Sequence, residues 1–517
     1  MNIIRLLERE VKENPEKVAL IHKGEKLTYL ELKQRSAAAA KFFSSHGLSS
    51  GHNALLFIPL SIELYVIFLG LIKNGITVVL IDPSAGKNHI EHAIQSICPD
   101  AFIATPKAHL LRFIPAVRKI PKKFSTNIWL PGSKLIRYSI DERQQQYDIE
   151  TAPDHPALIT FTSGSTGIPK GISRSHQFLI NQHQAIDNSL PSDENDIELN
   201  TLPVFILSNL ACGITTVIPD IDIKNPADVD AGLIAAQIRQ DGVNRLLASP
   251  AFCQNLADHL QAKNERIDSI RKIFTGGGPV FPNLLQQLSL CFPSAEIVAV
   301  YGSTEAEPIA HVSYINITES HFGRMQQGGG LLTGEPVPEV SLEIIPDMAG
   351  TPIGPFTEEA FSNMALSSMA CGEIVVAGDH VQKAYISGDS GNTKFEVGGT
   401  VWHRTGDAGY MDQDGKLWLQ GRCSAKIEKD GVITYPFGVE AAAMSFPGVI
   451  KAAFVEVNGT SVLAVETQVA DQQPLCDRIK ANLKKVDSIR IVKSIPVDRR
   501  HNSKILYREL EKLLDSC

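Results

Sequence analysis

Apolar and polar positions over the first 150 residues of the chain alternate between helical and strand-like segments. Residues 2–14, 27–45 and 62–74 read as helices, while Val18–His22, 54–58 and 78–81 are short aliphatic runs of strand length. This alternation predicts an α/β fold, with helices on both faces of a sheet. Residues 54–72 are apolar apart from Pro59, Ser61, Glu63 and Gly70. A membrane span needs about twenty apolar residues in one helix. Here Pro59 and Ser61 end a buried strand and start a new core helix, so no transmembrane segment is expected.

Further along, strand-like runs repeatedly open into glycine or hydroxyl turns. Leu158, Ile159, Thr160 and Phe161 lead into Thr162, Ser163, Ser165 and Thr166, interleaved with Gly164 and Gly167 and followed by Lys170. Glycines let backbone N–H groups converge on an anion, hydroxyls add donors, and the lysine adds charge, a combination suited to a polyphosphate. The lysine follows Pro169 and is not followed by Ser or Thr, so this is not the Walker A loop. His176, beyond the loop, reads as a structural cap. Residues 272–274 lead into Gly276, Gly277, Gly278 and Pro279, a turn on which a flat ligand can lie against bare backbone. Residues 298–300 lead into Tyr301-Gly302-Ser303-Thr304-Glu305, and Asp407 closes a Thr-Gly-Asp turn where a carboxylate can accept from two hydroxyls. Leu202-Pro203-Val204-Phe205 opens a proline-kinked apolar segment, and residues 346–371, rich in Gly, Pro, Ser and Met, read as a surface loop or small insertion.

Length and charge bound the picture. At 517 residues the chain exceeds the roughly 250–300 at which a single core stops growing, so more than one domain is expected. A net charge of −8 argues against a general nucleic-acid binder. Eight cysteines without a CxxC pair, and an N-terminal stretch of alternating charged and apolar residues without a signal-peptide core, predict reduced thiols in a cytoplasmic protein.

The stretch 160–176 and the pentamer 301–305 resemble signatures of the adenylate-forming superfamily, which includes acyl-CoA synthetases, luciferases and peptide-synthetase adenylation domains. The resemblance runs over nearly the whole chain. It implies a large N-terminal domain of layered sheets and helices, 1–420, and a small mobile C-terminal α+β domain, 421–517. It also implies ATP and Mg2+ as cofactors, and a carboxylate activated to acyl-AMP with release of pyrophosphate. The 162–167 loop, Lys170 and the turn Gly277, Gly278 and Pro279 would then hold the nucleotide. Tyr301 would stack on adenine, Thr304 would contact the α-phosphate and Glu305 would hold Mg2+. Asp407 and Arg422 would bind the ribose, and Lys504, in the tail segment RHNSK, would be the adenylation lysine.

Five places resemble one branch more narrowly, the olefin-pathway β-lactone synthetases. They are residues 80–94, 99–110, 202–220, the serine at 424, and the tail. Acyl-CoA synthetases carry Lys, Asp and Lys where this chain has Ser424, Ala425 and Glu428, which puts coenzyme A delivery in doubt. The branch implies a fatty acid or β-hydroxy fatty acid substrate and partners from a lipid-synthesis pathway. The rival readings are a fatty acyl-CoA ligase and a non-catalytic acyl- or nucleotide-binding protein.

Overall fold

The computed structural model describes residues 2–82, 86–138, 140, 149–163, 169–220, 229–387, 391–498 and 504–515. Much of the phosphate-binding loop expected from the sequence, including Gly164, Ser165, Thr166 and Gly167, lies outside the described residues. The chain divides into two compact units, one of Met1–Asp220, Gln240–Arg245 and Ala384–Ser390, the other of Ile221–Arg239, Leu246–Lys383 and Gly391–Cys517.

In the first unit an eight-stranded sheet runs in the order Tyr385–Ser387, Pro169–Ser175, Pro156–Ser163, Thr77–Leu80, Asn53–Phe57, Ala101–Ala104, Lys122–Ser125, Lys134–Leu135. From Pro156–Ser163 to the Lys134–Leu135 edge the strands are parallel. The other two join antiparallel. Parallel strands need crossovers that cover the sheet, and the helices Tyr29–Ser45 and Ile62–Lys73 bury one face against a core that includes Phe43, Ile67 and Leu71. The apolar stretch 54–72 is thus the strand Asn53–Phe57 followed by the helix Ile62–Lys73, which starts at the Ser61 cap. Among the described residues no helix is long and apolar enough to cross a membrane.

The second unit contains strands in the order Ser341–Ile345, Gly372–Ala377, Thr400–Met411, Leu417–Arg422, Leu331–Pro336, Ala306–Ser313, Glu296–Ser303 and Lys272–Gly276. It also carries a three-stranded sheet of Val449–Val457, Thr460–Thr467 and Ser488–Val492, covered by Pro436–Met444 on a core with Phe454, Leu463 and Ile479. The segment 346–371 differs from the loop expected. It carries the helix Glu358–Met364, capped by Thr357, whose buried Phe361 packs on Phe356, Phe395 and Trp402. One apolar residue per turn gave little helical pattern, and the surrounding Gly and Pro masked it. Asp347, in the same segment, accepts from Lys426 Nζ at 2.9 Å and Tyr435 Oη at 2.8 Å.

Candidate active site

Strands of the second unit assemble one cluster. Lys272–Gly276 and Glu296–Ser303 pair in parallel up to Gly276 opposite Val300, so the glycine turn leaves the sheet beside Tyr301, which stays in its strand opposite Ala310. A Cβ on Gly276 would stand 2.5 Å from the Val300 carbonyl oxygen, and Gly277 takes φ +81°, so this turn requires glycine. Thr304 and Glu305 form the two-residue link between the antiparallel strands Glu296–Ser303 and Ala306–Ser313. The Glu305 carbonyl accepts from the Gln382 N–H at 2.7 Å, beside the bridge between Ala306 and Val381, which fixes the turn.

Asp407, on Thr400–Met411, pairs with Arg422 at the end of Leu417–Arg422. Tyr301 Oη donates to Asp407 Oδ2 at 2.9 Å, and Arg422 Nη1 lies 3.1 Å from Asp407 Oδ1. Arg422 also donates to the Thr405 carbonyl at 2.9 Å. Thr405 Oγ1 in turn accepts the Asp407 N–H at 3.0 Å and donates to the Ile374 carbonyl at 2.9 Å. Burial, and then the Asp407 charge, push the Tyr301 phenol well above its ordinary value, so it stays protonated and donating. Asp407 raises the Arg422 guanidinium further, leaving it a permanent cation. Arg404 on the same strand and Glu373 on the neighbouring strand Gly372–Ala377 form a buried ion pair at 2.5 Å, with Arg404 also donating to the Thr351 carbonyl at 2.6 Å. The structure therefore brings Tyr301, Asp407 and Arg422 together.

Lys504 is exposed, and its own backbone groups are tied down. Its N–H donates to Asp498 Oδ1 and its carbonyl accepts the Asp498 N–H, both at 2.8 Å, beside the bridge between Val497 and Ile505. Among the described residues no hydrogen bond or ion pair joins Lys504 to Tyr301, Asp407 or Arg422. Three residues on, Tyr507 Oη donates to both oxygens of the fully buried Glu440, at 3.0 and 3.2 Å, and the Phe454 N–H donates to the same carboxyl at 3.0 Å. Sequence reasoning missed this clasp because its members are 67 residues apart.

In the first unit Thr162 and Ser163 end the strand Pro156–Ser163, with Thr162 paired to Lys170 and Ser163 to Pro169 across the antiparallel partner. Lys170 Nζ lies over the Tyr385 ring, 5.0 Å from its centroid. Tyr385 had no signal in the sequence, since its strand of three residues adds to the sheet from more than 200 positions downstream. His176 does not cap a helix. Ser175 is the cap, and the buried His176 accepts the Ile3 N–H on Nδ1 at 3.2 Å while its ring stacks on His155. Phe205 is buried on the helix Pro203–Ala211, which begins at the proline that the sequence suggested was a kink.

The donor set fits a nucleotide and its metal. Asp407 is a carboxylate with further acceptor capacity beside an arginine and a phenol, suited to sugar hydroxyls. Among the described residues no group of three or more His, Cys, Asp or Glu side chains could hold a metal ion alone. Mg2+ ordinarily takes only one or two carboxylates and completes its shell with substrate phosphates and water, so the single carboxylate of Glu305 suffices for an ion carried by the nucleotide.

Comparison with known proteins agrees with this chemistry. Residues 7–386 match the family described as AMP-binding enzyme. The chain is 30% identical to an olefin β-lactone synthetase of Xanthomonas campestris pv. campestris, covering 98% of this chain and 96% of that one. It is 27% identical to an olefin β-lactone synthetase of Stenotrophomonas maltophilia with the same coverage. Among solved structures, amide bond synthetase McbA from Marinactinospora thermotolerans shares the fold with a TM-score of 0.81 at 20% identity over 99% of both chains. The o-succinylbenzoate CoA synthetase of Bacillus subtilis, solved with its acyl-adenylate intermediate, gives a TM-score of 0.77 at 21% identity, covering 98% of this chain and 97% of that one. The chain is thus an AMP-forming ligase and belongs to the AMP-binding enzyme family.

Proposed function

We propose that the chain activates a long-chain β-hydroxy fatty acid with ATP to an acyl-AMP, with release of pyrophosphate, and closes it to a β-lactone with release of AMP, in the cytoplasm and alongside other enzymes of lipid synthesis. The observation that carries this reading is similarity at 30% identity over 98% of the chain to a protein described as an olefin β-lactone synthetase. The residues after Arg422 point the same way, because Ser424, Ala425 and Glu428 are not the Lys, Asp and Lys that the acyl-CoA synthetase pattern has there.

Attack of a carboxylate on the α-phosphate brings two anions together, so the protein must offset negative charge where it develops. Tyr301 would stack on adenine, and Asp407 and Arg422 would accept from and donate to the ribose. The hydroxyls and N–H groups from Thr162 through Gly167, with Lys170, would hold the phosphates, and Thr304 would contact the α-phosphate. The turn Gly277, Gly278 and Pro279 would give the nucleotide a bare backbone surface. Mg2+ held by Glu305 would neutralise phosphate charge. Lys504, on a C-terminal domain of 421–517 that swings against 1–420, would add the last positive charge at adenylation. The β-hydroxyl of the bound acyl group then attacks the activated carbonyl and the C–O bond to AMP breaks, its proton passing to solvent. The attack is intramolecular, and proximity offsets part of the strain of the four-membered ring.

Mass spectrometry of the products from ATP and a long-chain β-hydroxy acid tests this reading, with and without coenzyme A. The expected product is lighter than the acid by one water, forms without the thiol and is not increased by it. Efficient acyl-CoA formation from the same acid lacking its hydroxyl would replace the lactone reading with that of a fatty acyl-CoA ligase.

A further inference from the structure

Residues 105–138 hold eight Lys or Arg and no Asp or Glu, in a chain whose net charge is −8. They span the last parallel crossovers of the eight-stranded sheet, at the edge formed by Lys122–Ser125 and Lys134–Leu135. Two loops leave the carboxyl ends of neighbouring strands here, the 3-10 turn Ala108–Phe113 after Ala101–Ala104 and residues 126–133 after Lys122–Ser125. Arg112 clips them together. Its Nη1 donates to the Pro131 carbonyl at 2.8 Å, and its Nη2 lies 2.8 Å from where a Cβ on Gly132 would stand. On the inner side His109 Nε2 hydrogen-bonds the Phe124 carbonyl at 3.0 Å, anchoring the turn to the sheet.

Outward, these two loops present large apolar side chains to solvent. Asn127 takes φ +60°, a left-handed turn that asparagine tolerates, and the next two residues, Ile128 and Trp129, are 60% and 61% exposed. Leu110 and Phe113 on the clipped turn are 64% and 87% exposed. Among the described residues only five large apolar side chains reach 60%, and four of them are these. Single exposed apolar residues need no explanation, but four together on two tethered loops do. Lys107, Arg118, Lys119, Lys134 and Arg137 are exposed in the same segment, and among the described residues none of them is in an ion pair.

We propose that this clipped pair of loops binds an anionic lipid bilayer, with Leu110, Phe113, Ile128 and Trp129 entering the headgroup region and the surrounding cations meeting lipid phosphates. Peripheral attachment generally takes two signals, an apolar insertion and a basic patch, because either alone is weak and reversible. Both are present here within 34 residues and without an acidic side chain among them. An acidic protein or a nucleic acid would satisfy the cations but leave apolar tips such as Leu110 and Ile128 in water, whereas an interface of lipid headgroups satisfies both. The inference does not depend on which acid the enzyme activates.

The chain carries its own probe. Of its three tryptophans Trp129 is exposed, while Trp402 and Trp418 are 9% and 0% exposed. The full chain is mixed with vesicles of phosphatidylcholine alone or with one quarter phosphatidylglycerol, and both co-sedimentation and tryptophan emission are read. Sedimentation with the anionic vesicles and a blue shift are expected, with both reduced in high salt. Trp129→Phe should abolish the shift while retaining sedimentation. Phe113→Ser with Trp129→Ser should lose both. Replacing Lys107, Arg118 and Lys119 by Gln should weaken binding about fivefold for each cation removed. The thermal unfolding temperature, unchanged in every variant, controls for folding. Emission and sedimentation that vesicles leave unmoved would overturn the proposal, and binding to polyglutamate or a DNA duplex in their place would assign the patch to an acidic protein or nucleic-acid partner.

Discussion

Lys504 and Lys170 carry the same charge in different surroundings. Lys170 is half-buried over the Tyr385 ring, a contact worth about 0.5–1 kcal/mol at an exposed site, so its ammonium is held in one place by an aromatic face. Lys504 is exposed on a segment whose backbone is pinned by Asp498, and its side chain contributes little to stability there. Lys504→Ala should therefore leave the thermal unfolding temperature near wild type. It should lower carboxylate-dependent exchange of labelled pyrophosphate into ATP by about 10²–10³-fold, the loss seen when one positioned oxyanion donor is removed. An exchange rate equal to wild type would take Lys504 out of the mechanism.

At the scale of elements, close approach of two helices decides how the first sheet is covered. Gly70, on Ile62–Lys73, leaves no room for a side chain. A Cβ there would stand 2.8 Å from Ala39 Cβ and 2.9 Å from the Ser36 carbonyl oxygen of the helix Tyr29–Ser45. Gly70→Ala should destabilise the first unit by about 1–3 kcal/mol through overpacking, despite the better helix propensity of alanine. Chemical denaturation should show the lower midpoint. A rise in stability would mean that propensity outweighs packing at this crossing. The segment 346–371 is a second case. It joins its neighbours through Phe361 and through Asp347, whose burial raises its carboxyl but whose bonds from the Ala349 N–H, Lys426 and Tyr435 outweigh that and hold it below the ordinary value.

For the whole molecule, two buried titrating groups give stability an optimum in pH. Burial, and then His155, depress His176 from 6.5 to about 4, and its Nε2 is buried without a hydrogen bond among the described residues. The unfolded chain therefore takes up a proton below 6.5 that the folded first unit refuses, and stability falls as pH drops from 6.5 towards 4. Glu440 behaves in the opposite sense. Burial raises its carboxyl from 4.5 to about 8, so the folded second unit keeps a proton that the unfolded chain releases, and stability falls as pH rises from 4.5 towards 8. Hydrogen exchange should show the first unit opening preferentially in acid and the second in alkali. Glu440→Gln, which keeps the shape and the acceptor for the Phe454 N–H, should flatten the alkaline limb. A limb unchanged in that variant would place its cause elsewhere.

Legibility in the sequence followed the range of the interactions. The α/β alternation, the strand and helix within 54–72, and the turns carrying Gly277 and Glu305 were readable because each rests on residues within a few positions of one another, where period and turn chemistry act, whereas Tyr301 and Asp407, expected in turns, lie within the strands Glu296–Ser303 and Thr400–Met411. The alternation of elements and the signatures around Lys170 and residues 301–305 determined the fold class and the superfamily. What only the tertiary structure decided is which of those residues meet. Tyr301 and Asp407 are 106 positions apart, Glu440 and Tyr507 are 67 apart, and Tyr385 reaches Lys170 through a strand that pairs from far down the chain. The same holds for His176, which sequence proximity suggested was a cap but which folding buries against the Ile3 N–H. Periodicity records which face of an element is apolar, whereas the partner of a buried polar group is set by strand order and burial, and those exist only in the folded chain.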